Sequence, residues 1–157
     1  MMKIKLLTMG KTDVKWVREG LELYISRLSH YVPFTIQELP ELKNASSLSH
    51  AQIKEKEGEL LLAAVKPSED VILLDEKGRE YRSVEFASMI GEKLSRGKDL
   101  VFIVGGAYGF SQKVYDRSAG MLSLSKMTFS HQMVRTIFAE QLYRAFTILR
   151  NEPYHNE

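Results

Sequence analysis

The sequence predicts an α/β protein: a single domain, residues 1–157, with a mostly parallel sheet and helices on both faces. Three observations predict it. Two short runs, Val71-Ile72-Leu73-Leu74-Asp75 and Leu100-Val101-Phe102-Ile103-Val104, are apolar without alternation, as strands covered on both faces are. Segments with apolar residues at helical spacing surround them, so strand and helix mostly alternate along the chain. The 157 residues, 44% hydrophobic and 27% charged, are enough for one stable core, and no repeat, low-complexity tract or domain boundary interrupts them.

The elements follow in order. Lys3 to Met9 is a strand stopped by Gly10. Asp13 opens a helix whose Val14, Val17, Leu21, Tyr24, Ile25 and Leu28 share one face. Tyr31-Val32-Pro33 closes it, because the residue before proline is pushed out of helical geometry. Phe34 to Leu39 alternates and reads as a half-exposed strand. Pro40 to Ser49 reads as a loop, and 50–65 as a helix with Ile53, Leu60, Leu61 and Val65 inward. After the strand at 71–75, Glu76-Lys77-Gly78-Arg79 reads as a turn. Ser83 is placed to cap a helix carrying Phe86, Ala87, Ile90 and Leu94 inward. Gly105-Gly106 ends the strand at 100–104, and Ser111 is placed to cap a short helix running to Arg117. Met121 to Leu124 is a third buried strand, and His131 to Arg150 the last helix.

Composition removes several function classes. There is no cysteine, hence no disulfide frame, cysteine nucleophile or cysteine metal site, which fits the cytoplasm. The four histidines show no metal-ligand spacing. No apolar run reaches the length of a membrane span, and the start reads as a strand and not as a signal peptide. The net charge of +2 permits nucleic acid as a partner without demanding it.

Four places carry candidate chemistry. Gly105-Gly106-Ala107-Tyr108-Gly109 follows a buried strand, where open α/β sheets bind ligands. Its spacing is neither the dinucleotide fingerprint nor a P-loop. It either brings backbone close to a ligand or only makes a turn that needs positive φ. Ser125-Lys126-Met127-Thr128-Phe129 lies between the third buried strand and the last helix. Its hydroxyls and backbone groups suit the edge of an adenine, while serine and threonine are equally common as helix caps.

The last helix has two apolar stripes. Val134, Phe138, Leu142, Ala145, Phe146 and Leu149 form one; Met133, Ile137 and Ile148 lie nearly opposite. The second stripe meets either another part of this chain or a second copy across a two-fold axis. Arg135 falls inside the first stripe and requires a partner. Arg144 lies four residues after Glu140, which makes it an ordinary helical ion pair or a phosphate-binding group. Pro153-Tyr154-His155 is by default a loose tail, yet it holds a stacking ring and an imidazole.

Taken together, V-I-L-L-D (71–75), F-I-V-G-G-x-x-G (102–109), L-S-L-S-K-M-T-F-S-H-Q-M-V-R (122–135), A-E-Q-L-Y-R-A-F (139–146) and P-Y-H-x-E (153–157) carry a resemblance. The chain resembles, over its whole length, the bacterial large-subunit ribosomal RNA methyltransferases that modify N3 of pseudouridine, in the trefoil-knotted SPOUT superfamily. The resemblance implies a deep C-terminal knot, a homodimer, and S-adenosylmethionine held by Leu74, Gly105, Gly106, Leu124, Ser125, Lys126, Met127, Thr128 and Phe129. It implies that Arg144, Tyr154 and His155 face the RNA, and that the substrate is the large ribosomal subunit or the whole ribosome. One departure is visible: Ser130 stands where the family usually has proline, and a serine there is expected to cap the helix instead. Competing readings are a non-catalytic ribosome-binding or assembly factor, another nucleotide-binding α/β protein, and a knotted methyltransferase for another base.

Overall fold

The computed structural model describes residues 2–157. Five strands form one sheet: β1 (Ile4–Met9), β2 (Phe34–Leu39), β3 (Asp70–Glu80), β4 (Leu100–Val104) and β5 (Gly120–Ser123). Their order is β2-β1-β4-β3-β5 and every pairing is parallel. Five helices connect and follow them: α1 (Lys15–Leu28), α2 (His50–Ala63), α3 (Ser83–Arg96), α4 (Gln112–Arg117) and α5 (Met133–Leu149).

Strand periodicity divides the core into two layers. Ile4, Leu6, Ile72, Leu100, Phe102 and Val104 pack on one face with Phe86, Ile90, Phe138, Leu142 and Phe146 from α3 and α5. Leu7, Val71, Leu73, Val101 and Ile103 pack on the other with Leu61 of α2 and Val114 of α4. All five residues of β4 are buried, which explains a run with no polar alternation.

Several expectations are corrected in detail. The turn expected at 76–79 is an interruption within β3: Leu74 and Arg79 both pair with Leu122, so Asp75 to Gly78 are extra residues between two paired stretches. Gly78 permits it, since a Cβ there would lie 2.7 Å from the main-chain carbon of Met121. Leu60 is 37% exposed, and Leu61 alone of that pair fills the core. Leu149 is 39% exposed, because the helix ends there and the chain turns away. Ser83 begins α3 without capping it; Glu85 accepts the Arg82 N–H instead, and the Ser83 hydroxyl bonds Gln141.

Arg135 finds its partners inside the chain. It is fully buried, donating from Nη1 to Gly10 O (3.0 Å) and Thr12 Oγ1 (2.8 Å), and from Nη2 to Met9 O (3.0 Å). Its Nε donates to His131 O at 2.9 Å, and Glu38 Oε2 lies 3.4 Å from Nη1. Burial lowers its pKa, while Glu38, Asp13 and Glu41 oppose that shift. The guanidinium thus ties the end of β1 to the start of α5. Gln132 reinforces the join, accepting from Asp13 N–H and donating to Lys11 O.

No helix among the described residues is long and apolar enough to cross a membrane.

Candidate active site

The carboxyl ends of β3, β4 and β5 open into a cavity of about 330 Å³. Leu74 at the interruption of β3, Val104 at the end of β4 and Leu122 near the end of β5 form its floor. One wall is the glycine loop, with Gly105, Gly106, Ala107, Gly109 and Phe110. The facing wall is the turn before α5, with Leu124, Ser125, Met127, Thr128, Phe129, Ser130 and His131. Asp75 and Glu76, the residues displaced from β3, complete the rim.

Each wall has a local cause. Gly109 takes φ +84°, and its N–H donates to Gly106 O at 3.2 Å, closing a tight turn. Phe110 packs under Gly105, where a Cβ would come within 3.1 Å of its ring. On the other wall, the Met127 N–H donates to Ser125 Oγ (2.9 Å) and Ser123 Oγ to Ser125 O (2.9 Å). Ser130 Oγ accepts the Met133 N–H at 3.0 Å, so serine does the capping expected of it in place of proline. Thr128 Oγ1 donates to Glu76 Oε2 at 2.8 Å and ties the turn to the displaced segment of β3. The Tyr115 hydroxyl donates to Asp75 Oδ2, and burial, then that bond and its charge, raise the phenol to about 12.

The cavity therefore gathers Leu74, Gly105, Gly106, Leu124, Ser125, Met127, Thr128 and Phe129 from distant parts of the sequence. Lys126 is not on its lining; its side chain is 86% exposed and stands 3.8 Å from Glu80. Sequence reasoning missed Asp75, Glu76, Phe110, Ser130, His131 and Val134 as lining residues. Asp75 was in plain view as the polar end of an apolar run, and Phe110 as the residue after the last glycine.

Arg144, Tyr154 and His155 form a second group that does not line the cavity. Arg144 Nη2 donates to Glu140 Oε2 (2.8 Å), which also accepts the Tyr154 hydroxyl (2.8 Å). The guanidinium lies over the Tyr154 ring, 4.7 Å from its centroid, and its Nη1 is 3.1 Å from His155 Nδ1. His155 Nε2 pairs with Glu157 Oε1 at 3.0 Å, and Arg82 holds the other Glu157 oxygen at 2.6 Å. Burial, then hydrogen bonds to Tyr24 and Glu140, push the Tyr154 phenol well above its ordinary value. The tail is thus folded onto α5 and α1. Arg144 keeps its buried Nε without a hydrogen-bond partner among the described residues.

A parallel α/β sheet with a glycine-walled cavity of mixed apolar and polar lining at its strand ends defines a class: proteins that take a nucleoside-like ligand at the sheet's carboxyl edge. A family model described as "Predicted SPOUT methyltransferase" matches residues 2–155. The chain belongs to the SPOUT methyltransferase family. Among its relatives is the "Ribosomal RNA large subunit methyltransferase H" of Parabacteroides distasonis, 54% identical over 157 residues, covering 99% of this chain and 100% of that protein. The protein of the same name from Phocaeicola vulgatus is also 54% identical, with 99% of this chain and 100% of that one covered. That from Bacteroides fragilis is 53% identical over the same extents. The solved SpoU methyltransferase AviRb from Streptomyces viridochromogenes, in complex with AdoMet, aligns with 96% of this chain and 61% of its own at 11% identity. The TM-score of that superposition is 0.47.

Proposed function

We propose that this protein is an S-adenosylmethionine-dependent methyltransferase that methylates N3 of a pseudouridine in large-subunit ribosomal RNA. It acts in the cytoplasm on the assembled subunit or ribosome, as a homodimer of one-domain chains. The observation that carries the reading is the cavity at the ends of β3, β4 and β5, lined by the glycine loop and the Leu124–Phe129 turn. The relatives' shared name, borne by proteins matched along their full length, supports the ribosomal substrate. The same reading assigns the C-terminal part of the chain to the family's trefoil knot.

The cavity's chemistry suits the cofactor. Leu74, Val104, Phe110, Leu122, Leu124 and Phe129 offer an apolar slot for a purine ring. The backbone N–H groups of Thr128 to His131 donate to nothing among the described residues, which leaves them free for a ligand's acceptors. Asp75 and Glu76 suit ribose hydroxyls and a cationic tail. When bound, S-adenosylmethionine supplies an electrophilic methyl group on a sulfonium.

N3 of pseudouridine carries a proton at neutral pH, so a group of the protein must take it as the nitrogen attacks. His155 is the base in this reading. Tyr154 stacks on or hydrogen-bonds the target ring, and Arg144 faces the developing oxyanion or a phosphate, with its unspent Nε–H as a donor. These three side chains already touch one another, so they act as a unit. They do not reach the cavity of their own chain, which favours delivery from a second copy. The surface for that copy is the outer face of α5, with Met133 40% exposed and Ile137 half-buried, together with Trp16 (61% exposed) and Leu23 (48% exposed) on α1.

The test is mass spectrometry of ribosomal RNA from a strain lacking this gene. The expected result is the loss of one methyl group from a pseudouridine of the large-subunit RNA, restored by the wild-type chain. An unchanged modification pattern overturns the assignment.

A further inference from the structure

The glycine loop carries one ring that the cavity does not use. Ala107 and Gly109 line the cavity, whereas Tyr108 between them does not, and it is 44% exposed. Its ring stacks on His50, the first residue of α2, with centroids 3.9 Å apart and planes 18° from parallel. His50 is also exposed. A stacked aromatic pair therefore stands at the rim of the cofactor cavity with ring surface open to solvent.

Neither ring is needed to hold the structure around it. The glycine loop is closed by its own Gly109 N–H to Gly106 O bond and rests on buried Phe110. Helix α2 already grips it twice elsewhere. A Cβ on Gly106 would lie 2.5 Å from Glu57 Oε1, and one on Gly58 would lie 2.4 Å from Ser111 Oγ, so these surfaces are in close contact. The start of α2 is capped by Ser49 and Gln52, which exchange hydrogen bonds of 2.8 and 3.2 Å without the imidazole.

We infer that the Tyr108–His50 pair is a stacking platform for an unpaired nucleobase of the ribosomal RNA, a neighbour of the target nucleotide. The inference rests on the proposed function. When the target base enters the cavity, its neighbours must pass the rim, where an exposed ring takes a base of any sequence by its π-face. A chain with a net charge of +2 gains little from phosphate contacts alone, and stacking adds affinity that charge does not supply. The pair's outward position makes it a substrate contact and not a cofactor contact.

The test uses the full-length protein and large ribosomal subunits or ribosomes isolated from a strain lacking the gene. Tyr108→Ala and His50→Ala are compared with wild type for KM toward the particles, kcat, and calorimetric affinity for S-adenosylmethionine. The expected result is a KM raised about five- to tenfold in each, with kcat and cofactor affinity within about twofold of wild type. Tyr108→Phe, which keeps the ring, should behave as wild type. Cofactor affinity falling in parallel with KM would show that the stack braces the loop, and would overturn the platform. An unchanged KM would overturn it as well. A wild-type protein that binds cofactor but methylates neither particle refutes the functional reading itself, an outcome distinct from both.

Discussion

Arg144 Nη1 lies 3.1 Å from Nδ1 of His155, so the guanidinium covers that ring nitrogen in the folded tail. A guanidinium has only donors, so Nδ1 can only accept from it, while Nε2 lies 3.0 Å from Glu157 Oε1. The lone pair that a base needs is occupied by the arginine. On the proposed mechanism, the tail as folded on its own chain is a parked form, and His155 takes a proton only once Arg144 has turned to the substrate.

From this, His155→Ala should lower turnover at saturating ribosome by about 100-fold or more, the scale of a lost general base. Affinity for S-adenosylmethionine should stay at the wild-type value, since His155 does not line the cavity. Single-turnover kinetics with calorimetry would check both. Wild-type turnover in the variant would remove the histidine from the mechanism.

A tail that works on a neighbour's cavity predicts complementation. Mixing His155→Ala with a Gly105→Trp chain, whose indole would meet the Phe110 ring and fill the cavity, should restore activity that neither has alone. Mixed dimers hold one intact cavity facing one intact tail. Inactivity of the exchanged mixture would place tail and cavity on the same chain. Ile137→Asp should abolish dimers seen by light scattering, together with activity.

Arg135→Ala should destabilise the fold by about 3 kcal/mol or more, measured by urea unfolding. It strips partners from the carbonyls of Met9 and Gly10 and from the Thr12 hydroxyl. Arg135→Lys should recover only part, because an ammonium cannot span the two carbonyls in a planar fork.

The Glu57 carboxyl is held above its ordinary 4.5, first by burial and then by the charge of Glu41. A raised acid binds its proton more tightly folded than unfolded. Its contribution is thus most favourable below the unfolded pKa and is lost as pH rises through the folded one. Glu57→Gln should be closest to wild type in melting temperature at pH 4 and more stable relative to it at pH 7. Parallel melting curves over that range would contradict the buried charge.

Gly78→Ala should cost about 1–3 kcal/mol, since its Cβ would meet main-chain atoms of Met121 and Leu122 that cannot swing aside. Reduced cofactor affinity should accompany it, because the displaced segment carries Asp75 and Glu76 to the rim.

The parallel sheet was legible because β3 and β4 are apolar on both faces and the helices between them keep a 3.6-residue period. The interruption of β3 was not. Glu76-Lys77-Gly78-Arg79 has the composition of a turn, and only β5, some forty residues later, shows that the strand resumes pairing. Arg135 was legible as an anomaly on an apolar stripe, but its partners lie at the far end of the chain. In the site, the motif of 124–129 marked the cavity wall apart from Lys126, whose long stem carries its charge to Glu80 in the solvent. Ordering of the tail came from Glu140, four residues before Arg144, which read as one ion pair and in fact holds two groups.

The bonds of Arg135 also set a timetable for synthesis. The first strand emerges early, yet one of its two neighbours is β4, and its final carbonyls wait for a residue near position 135. Until β4 is made the nascent sheet lacks its central strand, and until α5 is made the last groups of β1 stay open to water or to other chains. A ribosome that stalls anywhere before α5 would leave a fragment unable to close its own first strand, and so a ready target for chaperones and proteases.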